Sequence, residues 1–210
     1  MNIKKISNLI LIFTIKRLIE IIGIALSCIG ILLFIALLSY SPSDPNFIFP
    51  ENTEINNLLG FRGSYISDLF FQSVGLISYI IPITFFFTGI NIFKRREIFL
   101  IIKNTFFIIL YSLIGSLFFS TFYKESFDLY INGNGGFTGN YLNKIFLTDI
   151  IYPFEKIFFY LLILLIIIFF LISINFNIKN FINFLRKIFK LFFKNENKNY
   201  TNKNEVISEY

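Results

Sequence analysis

LLSYSPSDPNFIFPEN, residues 37–52, ends one of the most apolar runs in the chain within three residues. The run it closes, Ile21 to Tyr40, carries no charged side chain. About 20 apolar residues are what a helix needs to cross the hydrocarbon core of a bilayer. Tyr40 is a side chain that settles at a membrane interface, Pro42 and Pro45 forbid a continuing helix, and Asp44 is expected to hold the segment in water. The stretch reads as the exit of a first span.

Three further charge-free runs follow, from Leu69 to Phe93, Asn104 to Phe122 and Ile157 to Asn175. Lipid offers no hydrogen-bond partner to an open backbone, so each run predicts a helix despite its wealth of Ile and Phe. Composition agrees: 55% of the 210 residues are hydrophobic and 20% aromatic, more apolar surface than a water-soluble domain of this length can bury. The bias towards Ile, Phe, Asn and Lys is also what an AT-rich coding sequence produces, so the arrangement of the apolar residues carries more weight than their number. The predicted fold is an all-α membrane protein with four transmembrane helices, at about 18–40, 69–93, 98–122 and 151–175 of a membrane domain spanning 18–176.

Lys and Arg near span ends stay on the cytoplasmic side, which sets the expected orientation. Lys4, Lys5, Lys16 and Arg17 precede the first span, Lys94, Arg95, Arg96 and Lys103 lie between the second and third, and seven more basic residues follow the fourth, fifteen of the nineteen in all. The other side holds Arg62, Lys124, Lys144 and Lys156, with eight of the thirteen acids. Both termini are therefore expected in the cytoplasm, residues 1–17 included, with the 37–52 stretch on the opposite face. A basic amino end before an apolar run also fits a cleavable signal peptide, but this run is too long for a signal core and Ser39-Tyr40-Ser41 is not a small-x-small site.

Beyond the fourth span, Lys179, Asn183, Arg186, Lys187, Lys190 and Lys194 recur at steps of three and four. That spacing predicts a basic amphipathic helix over 177–194 lying on the inner leaflet; the alternative is a further apolar stretch ended by stop-transfer charges. Residues 195–210 are polar and without periodicity, as in a disordered tail.

The chain contains no His and one Cys, which excludes a tetrahedral zinc site, a Cys/His catalytic pair and an intrachain disulfide. Cys28 is expected as a buried packing thiol; Ala25, Leu26 and Ser27 match a lipoprotein cleavage site poorly. None of the 11 glycines is followed by lysine, so no phosphate loop is encoded here. Glu51 and Glu54 are the closest pair of outer-loop acids and read as a solvated loop. The spans hold no group that titrates near neutrality, and Gln72, Asn91 and Asn175 are expected at solvated span ends. No catalytic, cofactor or metal residue is assigned, and no nucleic-acid contact, because the positive charge follows topology. The spans do offer packing: Ser112, Gly115, Ser116 and Ser120 in the third, and Gly23, Ser27 and Gly30 in the first, are small-residue stripes that let helices approach closely, within the chain or between subunits. Pro82 is expected to kink the second span.

The loops carry a resemblance. LLSYSPSDPNF (37–47), NLLGFRGSYISDLFFQSVGLISYIIPI (57–83) and GGFTGNYLNKIF (135–146) occur in that order and resemble the hallmark stretches of the four-span membrane domain at the amino end of the FtsK/SpoIIIE family of bacterial DNA translocases. Tyr40, Ser41, Pro42, Asp44 and Pro45 match the first hallmark. Asn57, Gly60, Gly63, Ser67 and Asp68 match the second, with Gly75 and Pro82 further in, and Gly135, Gly136 and Gly139 match the third.

The resemblance covers roughly Arg17 to Asn175 and does not reach the family's linker, its RecA-like motor or its DNA-reading module. It implies a domain that anchors a translocase in the bacterial inner membrane at the division septum, contacts divisome membrane proteins, and helps gather subunits into a hexamer, with no chemistry of its own. The alternative from another class is a small polytopic inner-membrane channel or carrier unrelated to division.

Overall fold

The computed structural model describes residues 3–45, 54–124, 132–147, 152–179, 181–183 and 186–187. The regular structure among them is helical throughout. Up to Phe176 the chain forms one compact unit, with α1 (Ile3–Leu38), α2 (Gly60–Val74), a 3-10 segment (Gly75–Ile80), α3 (Ile81–Arg95), α4 (Leu100–Phe122), α5 (Gly136–Leu142), a π-helical turn (Asn143–Leu147), a 3-10 turn (Tyr152–Phe154) and α6 (Glu155–Ser173).

Among the described residues, four stretches are long and apolar enough to cross a membrane: Ser7–Leu38, Gly60–Arg95, Leu100–Phe122 and Glu155–Ser173. Two differ from the expected spans for physical reasons. Helix α1 has 36 residues, about 54 Å at 1.5 Å per residue, so Lys16 and Arg17 ride on the helix that spans rather than on a separate terminus. The second crossing begins at Gly60, well before Leu69, and is interrupted. Its break lies ahead of Pro82: Gly75 adopts φ +73°, and Pro82 sits in the first turn of α3, where its missing N–H costs no helical bond.

Helix α1 lies against α3 along the small-residue stripe, which packs inside the chain. A Cβ on Gly23 would stand 2.7 Å from the Gly89 carbonyl oxygen, and one on Gly30 would stand 2.7 Å from the Phe86 nitrogen. Ser27 Oγ lies 3.1 Å from the Gly23 carbonyl oxygen and 3.2 Å from that of Phe86. Gly89, on the α3 side, completes the crossing and was not singled out in the sequence. Cys28 departs from expectation: on the turn carrying Ser27 it faces away from α3 and is exposed.

Behind this crossing, Leu33, Leu37, Phe71, Ile77, Ile81, Ile108 and Tyr111 form the main apolar core, and Leu117, Phe118 and Leu162 a second cluster between α4 and α6. Polar side chains between α3, α4 and α6 satisfy one another. Thr84 Oγ1 lies 3.0 Å from the Tyr111 hydroxyl and 3.1 Å from Ser173 Oγ. Asn104 donates to Thr88 Oγ1 at 2.8 Å and accepts from Asn175 at 3.2 Å, while Asn91 donates to the Ile174 carbonyl at 3.1 Å. Asn91 and Asn175, expected to be solvated at span ends, are instead bonded within the protein.

Residues from Asn177 form a second unit. Its residues 178–179, 181–183 and 186–187 are helical. The rest of the expected basic helix over 177–194, and the whole tail over 195–210, lie outside the described residues.

The α1–α3 crossing yields a test. Gly23→Leu or Gly30→Leu should force the helices apart and cost about 1–3 kcal/mol, the usual penalty of overpacking, read as a lower unfolding midpoint in mixed detergent micelles. Ile24→Leu, on the exposed face of α1, should leave the midpoint unchanged.

Candidate functional site

A helix ends with backbone carbonyls that have lost their partners, and the first two motif stretches meet where α1 ends this way. Asn57 is the cap. Its Nδ2 donates to the Ala36 carbonyl at 2.8 Å and lies 3.3 Å from that of Ser39, while its Oδ1 accepts the Leu59 N–H at 3.1 Å. Ser39 Oγ adds a bond to the Ile35 carbonyl and accepts the Leu58 N–H.

Asp44 holds Asn57 in position. Its two carboxylate oxygens accept the N–H groups of Asn56 and Asn57 at 2.8 and 2.9 Å. Asp44 is only 1% exposed, so the expectation that it holds the segment in water is corrected: two backbone donors replace its water, and the carboxylate becomes the internal clasp of the loop. Pro45 is also buried, and its carbonyl accepts from Ser64 Oγ at 2.7 Å. Pro42 remains partly exposed.

Helix α2 closes over this clasp. Gly60 opens it with φ +64°, and a Cβ on Gly63 would stand 2.6 Å from the Leu59 Cβ and 3.0 Å from the Asn57 Cγ. One turn on, Asp68 Oδ1 accepts from the Tyr40 hydroxyl at 3.3 Å and from Gln72 Nε2 at 3.4 Å. The Tyr40 ring packs on Phe71 with centroids 4.6 Å apart. Tyr40 lies past the last residue of α1, and burial, reinforced by the Asp68 carboxylate, raises its phenol well above the usual range. Tyr40 is therefore a fixed hydrogen-bond donor.

The third motif locks the break in the second crossing. Gly75 and Gly136 approach back to back, both with φ near +70°. A Cβ on Gly136 would stand 2.6 Å from the Gly75 nitrogen. The Leu76 N–H donates to the Asn134 carbonyl at 2.9 Å, Ser78 Oγ takes the Gly75 carbonyl at 2.7 Å, and Ser116 Oγ takes that of Val74 at 2.8 Å. Gly135 and Gly139 let α5 lie directly on α4, where Ser120 Oγ donates to the Gly139 carbonyl at 2.9 Å. Asn134 Nδ2 caps the end of α4 through the Tyr123 carbonyl.

Tyr40, Asp44, Pro45, Asn57, Gly60, Gly63 and Asp68 thus form one network, and Gly75, Gly135, Gly136 and Gly139 a second. The two join through α2, where Asn132 Nδ2 reaches the Gln72 side chain at 3.0 Å. Pro82 is fully buried at the start of α3. Among the described residues no group of His, Cys, Asp and Glu could hold a metal ion.

Two residues that tie the fold together carried little signal in the sequence. Asn134, 1% exposed, had no signal beyond its place before the double glycine. Glu20 lies one residue ahead of the charge-free run at the opposite end of the bundle. It bonds Arg17 at 2.5 Å and Arg96 at 2.6 Å, tying the start of the first crossing to the left-handed residue that ends α3. A lone acid among basic residues at a span edge was the available clue.

The fold and cap define a multi-pass helical membrane domain of four spans in which ordered polar and glycine-rich loops close one end. Residues 15–186 match the model of the 4TM region of DNA translocase FtsK/SpoIIIE. The chain belongs to this family. Relatives named DNA translocase FtsK include those of Rickettsia bellii, 32% identical over 115 residues, and Rickettsia typhi, 36% identical over 88 residues. That of Azospirillum brasilense is 34% identical over 73 residues. These matches cover 54%, 42% and 34% of this chain but 15%, 12% and 12% of the relatives. No solved structure matches the chain significantly.

The clasp and the glycine lock can be told apart by mutation. Asp44→Ala strands the buried N–H of Asn57 and the part-buried N–H of Asn56 and should cost about 1–3 kcal/mol. Gly60→Ala, with open space around it, should cost only the roughly 1–2 kcal/mol of a left-handed backbone. Gly75→Ala adds a collision with the Asn134 backbone and should cost clearly more than Gly60→Ala. Unfolding midpoints in detergent provide the ranking.

Proposed function

We infer that the chain is the membrane-anchoring and septum-recruiting domain of an FtsK-like DNA translocase acting in cell division and chromosome segregation. The observation that carries this reading is the family match over residues 15–186, which spans the membrane domain. The geometry supports it in kind. The motif residues hold one end of a four-span bundle in a fixed shape, as suits an anchor and a contact surface.

In this reading the protein lies in the bacterial inner membrane with both termini in the cytoplasm. The cap formed by Tyr40, Asp44, Asn57, Asp68 and the Gly75/Gly136 lock faces the periplasm, where divisome membrane proteins reach it. The basic helix over 177–194 rests on the inner leaflet and leads towards the motor. Both small-residue stripes pack inside the chain, so assembly into a hexamer falls to other faces of the spans. The motor and its ATP hydrolysis belong to the part of the curated relatives that this chain does not match.

A fluorescent fusion should concentrate at midcell in dividing bacteria; uniform envelope signal accompanied by altered solute uptake would overturn the reading in favour of a channel or carrier. The orientation has its own check: a periplasm-active reporter should work when fused after Asn52 or Gly133 and be silent after Arg96. Activity at Arg96 would invert the map.

A further inference from the structure

The end of the bundle that carries the motifs also holds a basic cavity that the cap does not use. It has a volume of about 350 Å³ and is lined by Lys124, Asn140, Asn143 and Lys144. These are two of the four basic residues on this side of the membrane domain, and among the described residues the lining includes no carboxylate. Asn140 and Asn143 are fixed in place, donating to the Asn132 carbonyl at 2.6 Å and the Ser120 carbonyl at 3.4 Å. Both lysines are exposed, so their ammonium groups are available to a ligand.

The depth of this cavity follows from α5. Gly135 and Gly139 rest on Ser116 and Ser120, within the last two turns of α4. Helix α4 has 23 residues, about 34 Å at 1.5 Å per residue, close to the thickness of the hydrocarbon core. Helix α5 therefore lies where acyl chains give way to headgroups. Its glycine face is turned to α4, while Phe137 and Tyr141 on α5 and Ile145 in the π-helical turn that follows are 62%, 56% and 59% exposed. These follow at i, i+4 and i+8, and the Phe137 and Tyr141 rings stack with centroids 6.0 Å apart. An apolar aromatic face beside a cluster of lysines at this depth is the pattern of a segment bedded in the interface.

We propose that Lys124, Lys144, Asn140 and Asn143 bind the phosphate headgroup of an anionic phospholipid whose acyl chains lie along Phe137, Tyr141 and Ile145. The lysines supply positive charge and the two carboxamides supply N–H donors, a set matched to phosphate oxygens. The bound lipid fills the angle between α5 and the end of α4 and steadies the helix that locks Gly75.

The chain contains no tryptophan, so Tyr141→Trp or Phe137→Trp introduces a single tryptophan, excited selectively over the tyrosines, into the full chain. In nanodiscs the emission should be blue-shifted and quenched by lipids brominated on their acyl chains. Brominated phosphatidylglycerol should quench more strongly than brominated phosphatidylcholine, and Lys124→Gln with Lys144→Gln should remove that difference. Phosphatidylglycerol retained by the purified protein should fall roughly fivefold for each lysine removed. Water-like emission without quenching overturns the proposal, as does equal quenching by the two lipids. A preference abolished by inorganic phosphate marks a free-anion site, and a shift seen only on adding a protein partner marks a protein interface; either outcome also overturns it.

Discussion

A backbone N–H or C=O inside a bilayer has only the protein to bond with, and this chain breaks its helices close to membrane depth. It does so at the end of α1 and again at Gly75–Ile80, level with Gly115 and Ser116 of α4. The motif residues supply the missing partners. Asn57 and Ser39 take the last carbonyls of α1, Asp44 takes the amides of the returning loop, and Ser116, Ser78 and Asn134 take the groups freed at the break. Remove these bonds and neither interruption could be held out of water.

The interruptions give the domain its shape. Asp68 on α2 bonds Tyr40 at the end of α1, and the break at Gly75 leaves a slot that the Gly135-Gly136 backbone enters without room for a Cβ. Side-chain bonds and backbone approach thus fix a rigid surface made from three distant stretches of sequence.

The four spans were legible because a charge-free run of about 20 residues has few other uses. The order of the motifs was legible through the resemblance they carry. What escaped the sequence depends on partners far along the chain. Asp44 looked like a solvated acid because the donors described for it, the amides of Asn56 and Asn57, arrive from a dozen residues further along the chain. Pro82 looked like the cause of a kink that belongs to Gly75. Cys28 looked buried, yet the Gly23, Ser27 and Gly30 stripe turns it outward. Glu20 was passed over because the charge-free run was counted from the residue after it.

Amide hydrogen exchange in lipid nanodiscs tests most directly whether the motif side chains and loops satisfy the broken backbone. The amides of Asn56 and Asn57, which lie outside the helices, and that of Leu76, at the break, should be protected to the degree of the neighbouring helices. Exchange at the rate of an open loop at these three positions would contradict the account.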